Sequence, residues 1–226
     1  MNVFYLSSLP RECAEMHCDK HVVKMIIEYA QLMSTAHRVL DGEQYGGKTK
    51  TGRNIKRWKH PISNMENTLY LASHINHPSA IWVRANRRHY DWLYAMWAFL
   101  GQEYTHRYGR EHLTITKLKR VLERPPQNIP YGKFKQPPQA MPDECKHDSS
   151  IIAYRTYYNL YKEPFAKWTN RKMPTFFKNY QVRENEKTFI YYSLLPKKVL
   201  KPLSGNIPIQ DLLHVLNNFV SFLLLF

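Results

Sequence analysis

An all-α fold is predicted by three features of the 226-residue chain: long windows of apolar residues at helical spacing, only 8 glycines, and 14% aromatic residues within a 43% hydrophobic fraction. Apolar residues three and four apart line one side of a helix. Tight β-hairpins lean on glycine, which this chain largely lacks. The apolar content excludes global disorder and suffices for a sizeable core. The expected architecture is a compact helical domain over residues 1–178 with a long proline-rich loop, followed by an appendage over 179–226.

Taken in order, residues 2–6 read as a short extended arm, and Ser7, Ser8 and Pro10 as a turn that starts a helix. One continuous helix is predicted over 12–40. Val22, Val23, Ile26, Ile27, Ala30, Met33, Ala36 and Leu40 form its apolar side, and His17, His21, Lys24, Glu28, Thr35 and Arg38 run down another. Residues 41–61 hold half of the glycines and the cations Lys48, Lys50, Arg53, Lys56, Arg57 and Lys59 around Trp58, the pattern either of a flexible loop that touches phosphates and stacks on a base or of a solvated connector.

Further helices are expected over 64–75, 79–108 and 113–124. The second has a broad aromatic stripe, carries Arg84, Arg87 and Arg88 in its early turns, and ends at Gly109 as a C-cap. Residues 125–148 are irregular and proline-rich, as expected of a lid or binding loop. Asp148 or Ser149 caps one more helix, followed by the basic and aromatic run WTNRKMPTFF with Arg171 and Lys172. The last fifteen or so residues are apolar but interrupted by His214, Asn217 and Asn218, so no membrane span is expected. Leu212, Leu216, Phe219, Leu223 and Phe226 make a helical stripe suited to docking or self-association.

The formal charge of +15, from 33 Lys plus Arg against 18 Asp plus Glu, points to a polyanionic partner, nucleic acid first. Three cysteines are too few and too odd in number for a disulfide framework, and no signal-peptide pattern opens the chain, so the cytosol is the expected compartment. No phosphate-binding glycine loop, dinucleotide fingerprint, serine elbow or zincin motif is present.

Two constellations carry chemistry. The first is the track His17, His21, Lys24 and Glu28, in which an amine can attack a sugar C1′ to form a Schiff base while a carboxylate moves protons. An ordinary ion pair between Lys24 and Glu28 is the competing reading. The second is a zinc site from Cys13, His17 and His21, spaced by four and four, with Cys145 and His147 as further ligands. A third group, His106, Arg107, Tyr108, Arg110 and His112, is a supporting phosphate contact.

The runs MHCDKHVVKMIIEYAQLMSTAHRVL, NHPSAIWVRANRRHYDWLYAMWAFLGQEYTHRYGR, AMPDECKHDSSIIAYRTYYNLYK and WTNRKMPTFF resemble phage and viral pyrimidine-dimer DNA glycosylases of the endonuclease V-like group, over about residues 1–177. The resemblance implies a compact helical domain that binds damaged double-stranded DNA, flips a base out, breaks its glycosidic bond and then cleaves the strand, with no cofactor. It implies a catalytic amine, terminal in that group, beside a glutamate and basic neighbours. Here Lys20 and Lys24 match the basic neighbours, and either His21 or Glu28 stands in the glutamate's place. Asn2 disfavours removal of Met1, so Lys24 is the substitute amine.

The expectation is therefore a glycosylase and lyase with Lys24, Glu28, His21 and His17 at the site. Lys20, Arg53, Lys56, Arg57, Trp58, Lys59, Arg84, Arg87, Arg88, Arg171 and Lys172 are its DNA contacts. The alternatives are a non-catalytic nucleic-acid-binding protein, or a metal-dependent nuclease or nucleotide-modifying enzyme on the cysteine and histidine set.

Overall fold

The structure, a computed structural model, describes residues 1–178; the expected appendage and its terminal apolar stripe lie outside the described residues. Eight α-helices and one β-hairpin make up the regular elements of this part. They are α1 (Pro10–Glu15), α2 (Asp19–Asp41), the strands β1 (Glu43–Lys48) and β2 (Asn54–Lys59), then α3 (Ser63–Thr68), α4 (Pro78–Ala85), α5 (Arg87–Tyr108), α6 (Leu113–Leu122), α7 (Ser150–Tyr161) and α8 (Thr175–Lys178). The helical class holds, with a small antiparallel sheet that the sequence did not predict. No described helix is long and apolar enough to cross a membrane.

Helix α2 is the spine of the core. Met25, Ile26, Tyr29, Ala30, Leu32, Met33 and Ala36 are buried against α4, α5 and α6. Trp97 of α5 is fully buried and its indole N–H donates to the Ile26 carbonyl at 2.8 Å. The arm before α1 is equally buried through Val3, Phe4, Tyr5 and Leu6, and the Phe4 N–H donates to the Tyr29 hydroxyl at 3.1 Å. Val23 and Ile27, expected in the core, stand 40% and 46% exposed on the free side of α2.

The predicted helix over 12–40 is broken between Glu15 and Asp19. Its periodicity runs unbroken through 16–18, but distant groups take the backbone there. Arg107 donates to the Glu15 carbonyl at 3.0 Å and Trp168 to that of Met16 at 3.0 Å, while the Asp19 N–H donates to Lys167 at 2.8 Å. Asp19 also accepts from Arg107 at 2.8 Å and from the Thr169 hydroxyl at 2.8 Å. His17 therefore belongs to a link and not to the helix that carries His21.

The basic stretch over 41–61 is a hairpin, not a flexible loop. Glu43 pairs with Lys59 and Lys48 with Asn54, and Gly52, at φ +81°, takes the left-handed turn position that favours glycine. Gly42 joins α2 to β1 where a Cβ would meet the Arg38 carbonyl, so the junction needs glycine.

The helix expected over 64–75 stops at Thr68, because Arg38 collects the carbonyls that follow: Leu69 at 3.1 Å and Tyr70 at 2.7 Å. The helix expected over 79–108 is two helices meeting at Asn86, which is extended at φ −162° and caps α5 with its side chain on the His89 N–H. The proline-rich segment threads this break: the Arg87 N–H donates to Pro130 at 2.7 Å and the Trp82 indole to Lys135 at 2.8 Å.

Candidate active site

The first three turns of α2 and the buried arm bring two amines to one carboxylate. The Met1 amine lies 3.6 Å from one Glu28 oxygen and the Lys24 ammonium 3.2 Å from the other. Burial of residues 3–6 holds the amine there, together with a 2.8 Å bond from the Asn2 side-chain amide to the Ala140 carbonyl of the proline-rich segment. That segment thus borders the arm that carries the Met1 amine. The Glu28 side chain is 20% exposed and that of Lys24 70%, so the carboxylate is shielded and its lysine partner stands in solvent.

His77 and His74 are neighbours the sequence reading missed. Burial lowers the pKa of His77, the Met1 amine and His74 lower it further, and Glu28 opposes them. His77 caps α4 through Nδ1, which accepts from the Ser79 N–H at 3.1 Å, so its ring is fixed. The His77 and Pro78 pair marked a helix start in the sequence, but not its proximity to residue 1.

His17 and His21, expected on the chemical track, are core residues. His17 donates from Nδ1 to the Cys13 carbonyl at 2.7 Å and accepts at Nε2 from the Tyr29 hydroxyl at 3.0 Å, so both nitrogens are occupied. His21 stacks on Phe4 at 4.2 Å and bonds the Tyr158 hydroxyl at 2.5 Å. Burial pushes the pKa of His17 down to about 4; burial, with His17, Lys162 and Lys24 nearby, pushes that of His21 down to about 2.

Both rings are neutral in the fold and protonate near 6.5 once unfolded. Their stabilisation is complete above about pH 6.5 and falls as pH drops towards 4, each ring contributing up to about 1.4 kcal/mol per pH unit. Urea midpoints are expected to be flat from pH 8 to 7 and to fall steeply between pH 6 and 4.5.

The expected zinc set is not assembled. The break before Asp19 removes the helical spacing of Cys13, His17 and His21, and both nitrogens of His17 are already engaged. The Cys13 thiol is buried, donates to the Phe4 carbonyl at 3.2 Å and has its pKa pushed up to about 11, far from the thiolate a metal needs. Cys145 is buried, while His147 is exposed and caps the Ser149 N–H at 3.0 Å.

The basic residues divide into free and engaged. Lys20, Arg53, Lys56, Lys59, Arg88 and Lys172 are exposed, with the Lys20 ammonium 4.6 Å from the centre of the Phe165 ring. Arg57 is half-buried on the hairpin. Trp58, expected to stack on a base, is 8% exposed and belongs to the interior. Arg84 is partly buried, with a shielded guanidinium nitrogen that lacks a hydrogen-bond partner and a pKa lowered by burial. Arg87 holds the Tyr131 hydroxyl at 2.8 Å and pairs with Asp91 at 3.4 Å. Arg171 is paired to Glu103 through bonds of 2.8 to 3.1 Å, and Arg107, of the supporting phosphate group, is fully buried between Glu103 and Asp19.

Two hollows of about 540 Å³ each open elsewhere, one lined by Pro137 to Gln139 with Lys146, His147, Asp148 and Ser150, the other by Glu12, Glu15 and Met16 with Asn170 to Thr175. Neither includes Lys24 or Glu28. Comparison of the chain with family models, with curated proteins and with solved structures finds no match.

Proposed function

We propose that the chain is a DNA glycosylase with lyase activity, acting on damaged or modified pyrimidines in double-stranded DNA within a cytoplasm. One observation carries this reading: a carboxylate set between two amines on an accessible helix face. In the proposed step an amine lone pair forms the N–C1′ bond as the glycosidic bond breaks, and the base leaves with that electron pair and takes up a proton. The sugar ring then opens to an imine and β-elimination cuts the strand. Glu28 steadies the cationic sugar and relays protons. The Met1 amine at 3.6 Å and the Lys24 ammonium at 3.2 Å from Glu28 are the two candidate nucleophiles.

Borohydride trapping on dimer-containing and abasic duplexes tests the reading. A covalent protein–DNA adduct is expected, and peptide mapping of it separates the Met1 amine from Lys24. No adduct and no base release across a lesion panel overturns the proposal. The i,i+4 spacing of Lys24 and Glu28, that of an ordinary helix ion pair, favours a second reading as a binder without turnover.

In either case the exposed cations of the hairpin contact phosphates in the proposed complex. Replacing Lys56 and Lys59 together by Ala is expected to weaken binding alike for all sequences. It should also lower the slope of log affinity against log salt by about two, read by fluorescence anisotropy between 50 and 200 mM salt.

A further inference from the structure

Among the described residues, one group of potential metal ligands has donor atoms that all lie within 4.8 Å of one another: His37, Asp41 and His60. It is separate from the site at Glu28, since Asp41 lies about 20 Å farther along α2 at 1.5 Å per residue. His37 and Asp41 are one turn apart at the C-terminal end of α2, and His60 directly follows β2. The sequence reading did not single out any of the three.

The hydrogen bonds around the group leave one buried nitrogen of each ring without a partner. The Tyr90 hydroxyl donates its proton to the Leu122 carbonyl at 2.9 Å, so at its 2.9 Å contact with His37 it accepts from Nε2–H. The ring proton of His37 is thereby placed on Nε2, and Nδ1 presents a lone pair. That atom is buried and has no hydrogen-bond partner, although the Arg124 backbone lies alongside. His60 takes the Ile62 N–H on Nδ1 at 3.2 Å, and its buried Nε2 likewise has no partner. The two rings are 2% and 3% exposed, so water does not freely satisfy them.

Asp41 completes the set. Its Oδ1 accepts from the Asn128 N–H at 2.9 Å and from the Asn128 side-chain amide at 3.1 Å, and its Oδ2 from the Gln127 N–H at 2.8 Å, which leaves Oδ2 with a lone pair for a further partner. The carbonyl end of a 23-residue helix favours a cation there. The nearby Arg38 guanidinium opposes one, but its hydrogen bonds go to Glu66 and to backbone carbonyls.

We propose that His37, Asp41 and His60 bind a divalent transition-metal ion, zinc by preference, through Nδ1 of His37, Nε2 of His60 and an Asp41 oxygen, with water in a fourth position. Two imidazoles and one carboxylate suit zinc and its neighbours, whereas magnesium and calcium favour all-oxygen sets. Ligation at Nε2 places the His60 proton on Nδ1, so the long bond from Ile62 is the contact the ion displaces. The bound ion clamps the end of α2, the root of the hairpin and the turn at Gln127 and Asn128, and so holds the hairpin on the body.

The test uses the full chain, stripped with a chelator and titrated with zinc and with cobalt. One saturable equivalent is expected, with visible cobalt bands of a four- or five-coordinate site. Asp41→Asn, which keeps an acceptor for the Gln127 and Asn128 N–H groups, and His60→Asn are each expected to weaken binding at least about 100-fold. Imidazole ¹⁵N spectra of the unmutated protein provide a readout that does not depend on how the variants fold. Zinc is expected to shift Nδ1 of His37 and Nε2 of His60 and to leave the other rings in place. Absence of saturable binding, or shifts confined to other histidines, overturns the proposal.

Discussion

Glu28→Gln is expected to lower single-turnover strand cleavage of a dimer-containing duplex by about 10³-fold, within the range of a lost general acid–base group. Duplex affinity is expected to change less than about threefold. The amide is isosteric and leaves the helix intact, but it neither takes up a proton nor balances the charge of the Met1 amine at 3.6 Å and Lys24 at 3.2 Å. Loss of turnover with retained affinity is what an enzyme shows. An unchanged rate would remove Glu28 from the chemistry, and a variant indistinguishable from a parent without cleavage would establish the binder. Lys24→Met separates the amines: if the Met1 amine is the nucleophile, trapping survives in this variant, and if Lys24 is, trapping disappears.

The largest effect on stability is expected at Arg38. Its side chain is 1% exposed and donates to the carbonyls of Trp58, Glu66, Leu69 and Tyr70 and to the Glu66 carboxylate at 2.5 Å. Arg38→Met keeps most of the volume and strips every donor, leaving four carbonyls without that donor and the Glu66 carboxylate with only the His60 N–H. A cost of about 3–5 kcal/mol is expected, because several shielded carbonyls lose their donor at once. The melting temperature should fall by about 10 °C or more. Hydrogen exchange should locate the damage: hairpin amides near Trp58 are expected to lose protection before those of α5. Arg38→Lys, with one compact ammonium in place of a planar fork, should recover only part of the loss.

Much of the core was legible in the sequence because burial follows local spacing. Ile26, Ala30, Met33 and Ala36 recur at helical intervals and are all buried. The helix ends were less legible. The stretches over 12–40 and 79–108 each read as one helix, yet Arg107, Trp168 and the backbone of Pro130 and Lys135 supply or take hydrogen bonds at the breaks from far along the chain. The hairpin was missed for a related reason. Its glycines and lysines read as a loop, and its anchor, Trp58 held through Arg38, exists only once α2 and β2 meet.

The sequence by itself determined the helical class, the strong positive charge and the helix on which the candidate site lies. It also placed Lys24 and Glu28 one turn apart, since a four-residue spacing on a helix is a local property. The tertiary structure alone separated Glu28 from His21: both are polar residues on α2, but the Phe4 and Tyr158 rings enclose His21, whereas Glu28 faces the Met1 amine. It likewise made Arg38 a structural post and brought His37, Asp41 and His60 together. Each of these outcomes depends on groups distant in sequence converging, and no periodicity records that.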